Sequence, residues 1–279
     1  MKFSLLSALA LAATVAGLAA VEEPIDSRFK PAAPDPLIGD WQGTGGVVAQ
    51  VVRDEHGDYQ ANLLKQFDAA DNLVAILRGL SPDRAVAVGE ALVVAGIRLI
   101  EVPLNSPDPL TSIKRMCDSL GKRALCGAGT VLTPDAASKV AQAGGRLVVM
   151  PNTDKAVIAR AVELGLEALP GVATPTEAFK AIAAGARRLK LFPAAHLGPV
   201  YLKALSEVLP ADVRLWAVGG TDPGTMPAWL DAGAEGIGVG GALFRPSMRV
   251  EEVSRNASDL VAAWTSYRAR KSKSDKDSQ

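Results

Sequence analysis

Residues 124–172, ALCGAGTVLTPDAASKVAQAGGRLVVMPNTDKAVIARAVELGLEALPGV, alternate between short apolar runs and longer segments of helical composition. The apolar runs are ALCGAG (124–129), LVVMP (147–151) and EALPGV (167–172). A helix start signal, Thr133-Pro134-Asp135, follows the first run, because a threonine N-cap with proline at the first helical position favours helix initiation. Strands separated by helices pair in parallel, so this stretch predicts a parallel sheet whose faces are covered by helices.

The same alternation extends outward in both directions, from residue 73 to residue 241. The further strand candidates are LVAILRG (73–79), IRLIEV (97–102), RLKLFP (188–193), RLWAVGG (214–220) and GIGVGG (236–241). Eight strand–helix units that close on themselves predict an α/β fold, a (β/α)8 TIM barrel, to which we assign residues 61–269. The alternative is an open doubly wound sheet, but the first strand lacks the G-x-G-x-x-G turn of a dinucleotide site.

The two ends of the chain differ in composition from the barrel repeat. Residues 1–20 combine a basic start with an Ala/Leu-rich run, which predicts a secretory signal peptide; the alternative is an apolar helix of the mature protein. The run is Ala-rich and barely long enough to span a bilayer, and no later segment could do so, so no stable membrane association is expected. Residues 270–279, RKSKSDKDSQ, predict a solvated polar tail.

Residues 21–60 predict a linker followed by a short β-hairpin. The first part is polar and rich in proline, and the second offers two apolar runs, Val47–Val52 and Tyr59–Leu64, around a polar turn. One hairpin is not a domain, so this extension either packs on the barrel or is the remnant of a different gene fused upstream. A short helix over residues 62–70, capping the segment that follows, is an alternative.

The composition excludes several classes of function. The 279 residues include 30 basic and 30 acidic side chains, and 5% are aromatic, which argues against a nucleic-acid partner. The two cysteines, Cys117 and Cys126, rule out a disulfide scaffold and a cysteine-rich zinc site. Because the chain has two histidines, neither a histidine-based metal centre nor a serine–histidine hydrolase is expected, and no metal site is predicted. The chemistry must then come from Lys, Glu, Asp, Arg, Ser or Thr.

Four polar residues stand at or near the C-terminal ends of predicted strands: Arg78, Glu101, Thr130 and Lys190. In TIM barrels this end holds the active site. Lys190 lies between two leucines, and burial there would lower its pKa and yield a neutral amine that attacks ketones. Glu101 lies in an apolar strand and can carry the proton that such chemistry needs. A structural ion pair is the alternative for each charge, but convergence on one rim favours a catalytic site.

Two diglycines complete the candidate site. Gly219-Gly220 ends the seventh predicted strand, and Gly240-Gly241 ends the eighth. In TIM barrels the loops after these strands often bind phosphate through backbone N–H groups, and glycine lets the backbone approach the anion closely. Tight turns alone are the alternative, but the presence of a diglycine at both strands favours a phosphorylated ligand.

Seven short motifs, taken in order, resemble a known family, the Schiff-base aldolases of 2-dehydro-3-deoxy-6-phospho sugar acids. The motifs are AILRG (75–79), EVPLNSP (101–107), GAGTVLTP (127–134), PGVATPTEA (170–178), LKLFPA (189–194), AVGG (217–220) and GVGG (238–241). The resemblance extends from about residue 73 to residue 268 and leaves residues 1–60 outside it. It implies an enzyme that needs no metal or organic cofactor and that assembles as a homotrimer.

The resemblance also implies roles for the four polar residues. Lys190 in LKLFP matches the lysine that forms the Schiff base, and Glu101 in EVPLNS matches the glutamate that transfers protons. Arg78 in AILRG and Thr130 in GAGT match positions that contact the substrate.

Two positions distinguish this chain from its relatives. Gly219, Gly220 and Gly240 match phosphate-binding positions, whereas Gly241 stands where the relatives carry a serine, so a backbone donor remains and a hydroxyl is lost. At Asn105 the gluconate branch of the family typically has an arginine that holds the substrate carboxylate, so asparagine favours the galactonate branch. The two substrates differ in stereochemistry at one hydroxyl carbon, which makes dual activity an alternative.

The reaction implied by the resemblance is cleavage of a phosphorylated sugar acid to pyruvate and glyceraldehyde 3-phosphate. Such a substrate is normally cytoplasmic, which conflicts with the predicted signal peptide; a gene fusion or a misplaced start upstream of a complete aldolase is the simplest hypothesis. Two rival functions use the same barrel: a phosphosugar isomerase or epimerase, and an exported sugar-phosphate binding protein without catalysis. Retention of both Lys190 and Glu101 argues against the second rival.

Overall fold

The structure, a computed structural model, describes residues 39–42, 48–53, 59–64 and 72–277. The predicted signal peptide, residues 1–20, and the proline-rich stretch after it lie outside the described residues. The distribution of contacts within the chain divides it into two compact units, Met1–Phe67 and Asp68–Gln279. The division falls shortly before residue 73, where the strand–helix alternation begins.

The first unit contains a three-stranded antiparallel sheet in the order β1-β2-β3. Its strands are β1 (Gly39–Gln42), β2 (Val48–Arg53) and β3 (Tyr59–Leu64). β2 and β3 form the predicted hairpin, with Val48 opposite Leu64 and Arg53 opposite Tyr59. The helix alternative is wrong for residues 62–64, because they pair with β2. The sequence does not predict β1, since a strand of four residues is too short to show an alternating pattern.

The second unit is a nearly closed barrel of parallel strands with helices between them, the predicted TIM-like fold. Its strands pair in the order β8-β7-β6-β5-β4-β12-β11-β10-β9. They are β4 (Leu73–Ile76), β5 (Leu99–Pro103), β6 (Leu125–Gly129), β7 (Leu147–Val149), β8 (Glu167–Leu169), β9 (Gly171–Val172), β10 (Arg188–Leu191), β11 (Arg214–Val218) and β12 (Gly236–Val239). Pro170 divides one predicted strand into β8, which pairs with β7, and β9, which pairs with β10.

The helices occupy the segments that the sequence assigns to them. They are α1 (Ala85–Ala95), α2 (Pro109–Leu120), α3 (Pro134–Gln142), α4 (Lys155–Glu163), α5 (Pro175–Ala183), α6 (Ala194–Ser206), α7 (Met226–Asp231) and α8 (Val250–Asp277). The threonine cap predicted at Thr133 is confirmed, and a second threonine caps α5. The Thr133 side chain accepts a hydrogen bond from the Ala136 N–H, and Thr174 forms a capping box with Glu177. Both caps satisfy backbone donors that a helix N-terminus leaves unpaired.

Strand side chains alternate between the helix layer and the barrel interior. Leu189 and Leu191 of β10 belong to the apolar core between strands and helices, so Lys190 between them faces the interior. Glu101 faces inward by the same alternation, because both of its neighbours in β5 are core residues. The repeat of two along each strand therefore places both candidate catalytic groups inside the barrel.

A charged cluster closes the N-terminal end of the barrel. Arg188 at the start of β10 pairs with Glu167 at 3.1 Å and with Glu235 at 3.3 Å. The Trp216 indole N–H donates to the second of these carboxylates, at 2.7 Å. Because this end lies opposite the predicted active-site rim, the cluster serves the stability of the barrel.

The last helix extends further than the sequence indicates. α8 continues to Asp277 and so includes most of the predicted polar tail, residues 270–279. That segment contains neither glycine nor proline, so nothing in it ends a helix. Residues 271–274 are exposed, as expected of a solvated segment. No helix in the described part of the chain, α8 included, is long and apolar enough to cross a membrane.

Candidate active site

The predicted site residues come together at one rim of the barrel. In chain order they are Arg78 after β4, Glu101 within β5, Thr130 after β6, Lys190 within β10, Gly219-Gly220 after β11 and Gly240-Gly241 after β12. The strands β6, β5, β4, β12, β11 and β10 are consecutive neighbours in the sheet. All of these residues therefore line one continuous arc at the C-terminal ends of the strands, where the βα loops of a barrel form its active site.

Lys190 is a buried lysine in an apolar setting. Its side chain is 5% exposed, and its Nζ lies 4.8 Å from the centre of the Phe192 ring, in a cation–π contact. The pKa of Lys190 is lowered to about 8, mainly by burial; the charge of Glu101 opposes this shift and that of Arg78 contributes to it. The amine is therefore partly neutral near physiological pH, which is the state that attacks a carbonyl carbon.

Glu101 is a buried carboxyl group with an unsatisfied oxygen. Its side chain is 3% exposed, and its Oε2 atom has no hydrogen-bond partner among the described residues. Burial raises the pKa of Glu101 to about 7, against the charges of Lys190 and Arg78, which lower it. A carboxyl group with this pKa can both accept and release a proton near neutral pH.

Gly129 leaves room for the Glu101 carboxyl group because it has no side chain. Sequence analysis missed this role. A Cβ atom built on Gly129 would lie 1.4 Å from the Glu101 Oε2 atom. The pairing of β5 with β6 places Glu101 opposite Gly127, two residues before Gly129 on the same face of the strand. The signal available in the sequence is the repeat of glycine at alternate positions in GAG, which marks a close approach on one face of a barrel strand.

Arg78 is held in place by the neighbouring loop. Its Nη1 atom donates a hydrogen bond to Asn105 Oδ1 at 2.6 Å. A second bond joins the same two loops, because the Gly79 N–H donates to Ser106 Oγ at 2.9 Å. The guanidinium group remains exposed at the rim and carries two further nitrogens. It can therefore bind an anionic group of a ligand while Asn105 fixes its orientation.

Thr130 has a strained backbone at the end of β6. Its φ is +56°, in the left-handed region that β-branched residues rarely adopt. Such a conformation costs on the order of 1–3 kcal/mol and persists where the surrounding structure imposes it. Here the flanking carbonyl of Gly129 accepts a bond from the Leu104 N–H at 2.8 Å, and the Val131 N–H donates to Val149 at 3.2 Å. The half-buried Thr130 lies at the rim, directly after Gly129 in the chain.

The loop after β11 needs its two glycines. Gly219 and Gly220 have φ values of +99° and +76°, and a Cβ on Gly220 would lie 2.5 Å from the Ala195 Cβ. The loop is anchored on both sides. The Gly219 carbonyl accepts from the Ala195 N–H at 2.9 Å, and Thr221 Oγ1 donates to the Gly238 carbonyl at 2.6 Å.

The loop after β12 is less constrained. Gly240 and Gly241 do not have left-handed φ values, and the atom nearest to a Cβ on Gly241 would be Arg245 Nε at 4.0 Å. A serine would fit at position 241, so the backbone geometry does not require glycine there. Arg245 Nε also donates to the Gly241 carbonyl at 3.0 Å, which brings a guanidinium group next to this loop.

This arrangement can carry out chemistry at a carbonyl group. It combines a partly neutral amine, a carboxyl group with a pKa near neutrality, a rim guanidinium and two anchored glycine loops. Within the described residues, no cluster of His, Cys, Asp or Glu side chains is suited to hold a metal ion.

Comparison with known proteins gives a consistent family. A family model described as "Aldolase: KDPG and KHG aldolase" matches residues 66–258. The 2-dehydro-3-deoxy-6-phosphogalactonate aldolase of Escherichia coli (strain K12) is 46% identical over 192 residues, which cover 69% of this chain and 94% of that protein. The 2-dehydro-3-deoxy-phosphogluconate aldolase of Pseudomonas aeruginosa is 33% identical over 184 residues, covering 63% of this chain and 82% of that protein.

Similarity to solved structures supports the same family. A structure described as "Native KDPGal structure" is 46% identical with a TM-score of 0.69, and the match covers 70% of this chain and 95% of that one. A cube-shaped protein cage, designed by fusing symmetric oligomeric domains, is 43% identical with a TM-score of 0.74 and covers 75% of this chain and 77% of that one. Residues 1–65, nearly all of the first unit, lie outside the family match.

Proposed function

The chain belongs to the KDPG and KHG aldolase family and is therefore an aldolase, a carbon–carbon lyase, and we propose that it cleaves 2-dehydro-3-deoxy-6-phosphogalactonate to pyruvate and D-glyceraldehyde 3-phosphate. The observation that carries the proposal is the buried Lys190, whose amine faces the interior of the barrel beside Glu101. The greater identity to the galactonate enzyme than to the gluconate enzyme, 46% against 33%, supports the choice of substrate.

Lys190 acts as the nucleophile. Its neutral amine attacks the C2 ketone of the substrate, and loss of water from the resulting carbinolamine gives an iminium ion bonded to Nζ. The pKa of about 8 supports this role, since an ordinary lysine would be almost entirely protonated at neutral pH. The iminium ion then accepts the electron pair of the C3–C4 bond.

Glu101 moves the protons. It accepts the proton of the C4 hydroxyl group, directly or through a water molecule, as the C3–C4 bond breaks and glyceraldehyde 3-phosphate leaves. The remaining enamine is protonated at C3, and water hydrolyses the iminium ion to release pyruvate and restore Lys190. The unpartnered Oε2 atom supports this role, because a purely structural buried carboxylate would have both oxygens satisfied.

The other rim residues bind the two ends of the substrate. Arg78 holds the carboxylate group, supported by the bidentate donors of its guanidinium and by its bond to Asn105. Thr130 contacts the same end of the substrate.

The phosphate group binds at the two glycine loops. The backbone N–H groups of Gly219, Gly220, Gly240 and Gly241 act as its donors. The left-handed conformation of the first two glycines supports this assignment, because such turns expose successive N–H groups to an anion.

Activity on the gluconate epimer is the alternative. The identity to the Pseudomonas aeruginosa gluconate enzyme supports it, and the epimers differ at one carbon. Steady-state kinetics on the two epimers decide between them. We expect a higher kcat/KM for the galactonate compound; a higher value for the gluconate compound would reverse the assignment, and equal values would indicate a dual-specificity enzyme.

Trapping with borohydride tests the Schiff base. Incubation with pyruvate and borohydride should add one pyruvyl group to Lys190 and block tryptic cleavage there, which yields a modified peptide of residues 189–203. Lys190→Met should abolish the label, while the matched variant Lys203→Met, at an exposed lysine of α6, should retain it at residue 190. A label on a different lysine would refute the role of Lys190, and no label in the wild-type protein would favour the isomerase alternative.

Three further proposals concern the whole protein. We propose a homotrimer, supported by the designed cage whose building blocks are symmetric oligomeric domains, and sedimentation equilibrium would test it. We propose that the catalytic domain lies within residues 61–269 and begins after β3, at the division between the two units, with the residues before it and residues 270–279 as extensions. We propose that catalysis takes place in the cytoplasm, where the substrate is expected. N-terminal sequencing of the native protein tests the last point, since removal of residues 1–20 would show that the signal peptide is used.

A further inference from the structure

Two cysteines lie on neighbouring elements at the outer side of the active-site strands. Cys117 lies on α2 and Cys126 on β6, and both are free. Gly129 of β6 faces the barrel interior against Glu101, so the alternation along the strand turns Cys126 outward, to the helix layer that contains α2. Cys117 packs against the apolar core that contains Cys126. They belong to neighbouring elements of one packed layer and have no part in the proposed aldol cleavage.

Cys117 also lines a surface cavity. The cavity has a volume of about 230 Å³ and is lined by Cys117, Gly121, Lys122, Ala124, Gly144 and Arg146. Cys117 is half-buried, whereas Cys126 is 2% exposed and lies behind it. A reagent that enters the cavity therefore reaches Cys117 first. Lys122 and Arg146 make this wall of the cavity cationic, which suits the binding of small anionic or polar molecules.

The surroundings of the pair make the two sulfurs chemically different. The neighbouring Cys126 thiol lowers the pKa of Cys117, and the charges of Arg146 and Lys114 add to this effect, while burial and the charge of Asp118 oppose it. The neighbouring Cys117 thiol and burial raise the pKa of Cys126. Cys117 is thus the more nucleophilic, accessible sulfur, and Cys126 is a protonated thiol buried in the adjacent strand.

We propose that Cys117 and Cys126 form an oxidant-sensitive thiol pair, in which Cys117 reacts with a hydroperoxide that enters the cavity and Cys126 converts the product to an intramolecular disulfide. In the first step the Cys117 thiolate attacks a peroxide oxygen and the O–O bond breaks. Sulfur is oxidised to sulfenic acid, while the peroxide is reduced and leaves as hydroxide or alkoxide. In the second step the Cys126 sulfur attacks the Cys117 sulfur. The S–S bond forms as the S–O bond breaks, and the hydroxyl group leaves as water with the Cys126 proton.

Peptide mapping after oxidation tests the pair. Trypsin cleaves after Arg115, Lys122, Arg123 and Lys139, so the two cysteines lie in separate peptides, residues 116–122 and 124–139. After treatment of the full chain with hydrogen peroxide and digestion without reductant, we expect these peptides to be joined by a disulfide, and reduction should separate them. Absence of the joined species, or a disulfide between two copies of residues 116–122, would overturn the proposal.

Single variants assign the order of the two steps. Cys126→Ala should leave a sulfenic acid on Cys117 that dimedone labels, whereas Cys117→Ala should leave Cys126 unlabelled. Dimedone labelling of Cys126 in Cys117→Ala at a rate similar to that of Cys117 would contradict the assignment. Borohydride trapping of pyruvate on Lys190 in each variant reports an intact barrel. The trapping does not depend on either thiol. A missing disulfide with normal trapping therefore contradicts the thiol pair alone, whereas missing trapping contradicts the proposed aldolase mechanism.

Discussion

The carboxyl group of Glu101 occupies the volume that a side chain at Gly129 would fill, since a Cβ on Gly129 would lie 1.4 Å from Glu101 Oε2. The two residues are 28 positions apart in the chain and belong to neighbouring strands, β5 and β6. A narrow barrel interior is normally filled by apolar side chains in layers. The glycine removes one of those side chains, so a charged group can lie inside the barrel without being displaced toward the helix layer.

Gly129→Ala should remove catalysis because the new methyl group and the Glu101 carboxylate cannot occupy the same space. We expect kcat/KM to fall by at least about 10²-fold, the lower range for loss of a positioned acid–base group. Thermal unfolding should also occur at a lower temperature than in the wild-type protein, as with other overpacked cores.

A double-mutant cycle isolates this steric conflict. In a Glu101→Ala background the methyl group has room, so the additional Gly129→Ala change should lower the melting temperature much less than it does in the wild type. Equal destabilisation in both backgrounds would show that the glycine serves the backbone of β6 and not the carboxyl group.

Glu101→Gln should lower turnover while preserving the fold, because the amide has nearly the same shape as the carboxyl group but cannot carry a proton. The expected loss in kcat is about 10²–10⁴-fold. Pyruvate should still be trapped on Lys190, since iminium formation uses the amine. A kcat within about threefold of the wild-type value would mean that another group transfers the proton.

Burial of Glu101 and Lys190 should give the folded protein a minimum of stability between about pH 7 and pH 8. The pKa of Glu101 is raised from 4.5 to about 7, so its protonated form is favoured by folding, and that stabilisation is lost as the pH rises through this interval. The pKa of Lys190 is lowered from 10.5 to about 8, so the charged form opposes folding below about pH 8, and stability is regained as the pH rises toward 10.5.

Thermal unfolding from pH 5 to pH 10 checks the prediction. The double variant Glu101→Gln, Lys190→Met should have a flatter profile and a higher melting temperature than the wild type near pH 7.5, because apolar or neutral groups replace a buried charged pair. Lys180→Met, at an exposed lysine, should leave the profile unchanged. A profile in the double variant that matches the wild type would show that the two groups titrate as ordinary solvated side chains.

Asn105→Ala should weaken substrate binding because it removes the acceptor that orients Arg78. We expect KM to rise about tenfold with a smaller change in kcat, since the amine and the carboxyl group of the chemical step are untouched. Asn105→Asp is the matched variant, because its carboxylate can still accept the bond from Arg78, and it should retain most of the affinity. If the two variants raise KM equally, the bond at 2.6 Å does not position Arg78.

A chain that begins at Asp68 should be folded and active, because the first unit contributes none of the rim residues and all but its last two residues lie outside the family match. The cut is placed at the division between the two units, since a start at residue 62 would divide β3. The measurement is kcat/KM on the galactonate substrate with and without residues 1–67. An inactive or aggregated product would show that the barrel depends on the first unit for activity or solubility.

The sequence by itself determined the order of strands and helices in the barrel and which charged side chains of the strands face its interior. The helix caps at Thr133 and Thr174 and the inward position of Lys190 are local properties, because a cap needs three or four residues and strand alternation needs two neighbours. Only the tertiary structure decided how Glu101 fits against Gly129, how Asn105 holds Arg78, and which pKa values result. These features depend on contacts between strands and loops that are distant in the chain, and burial changes a pKa only once the barrel has closed around the group.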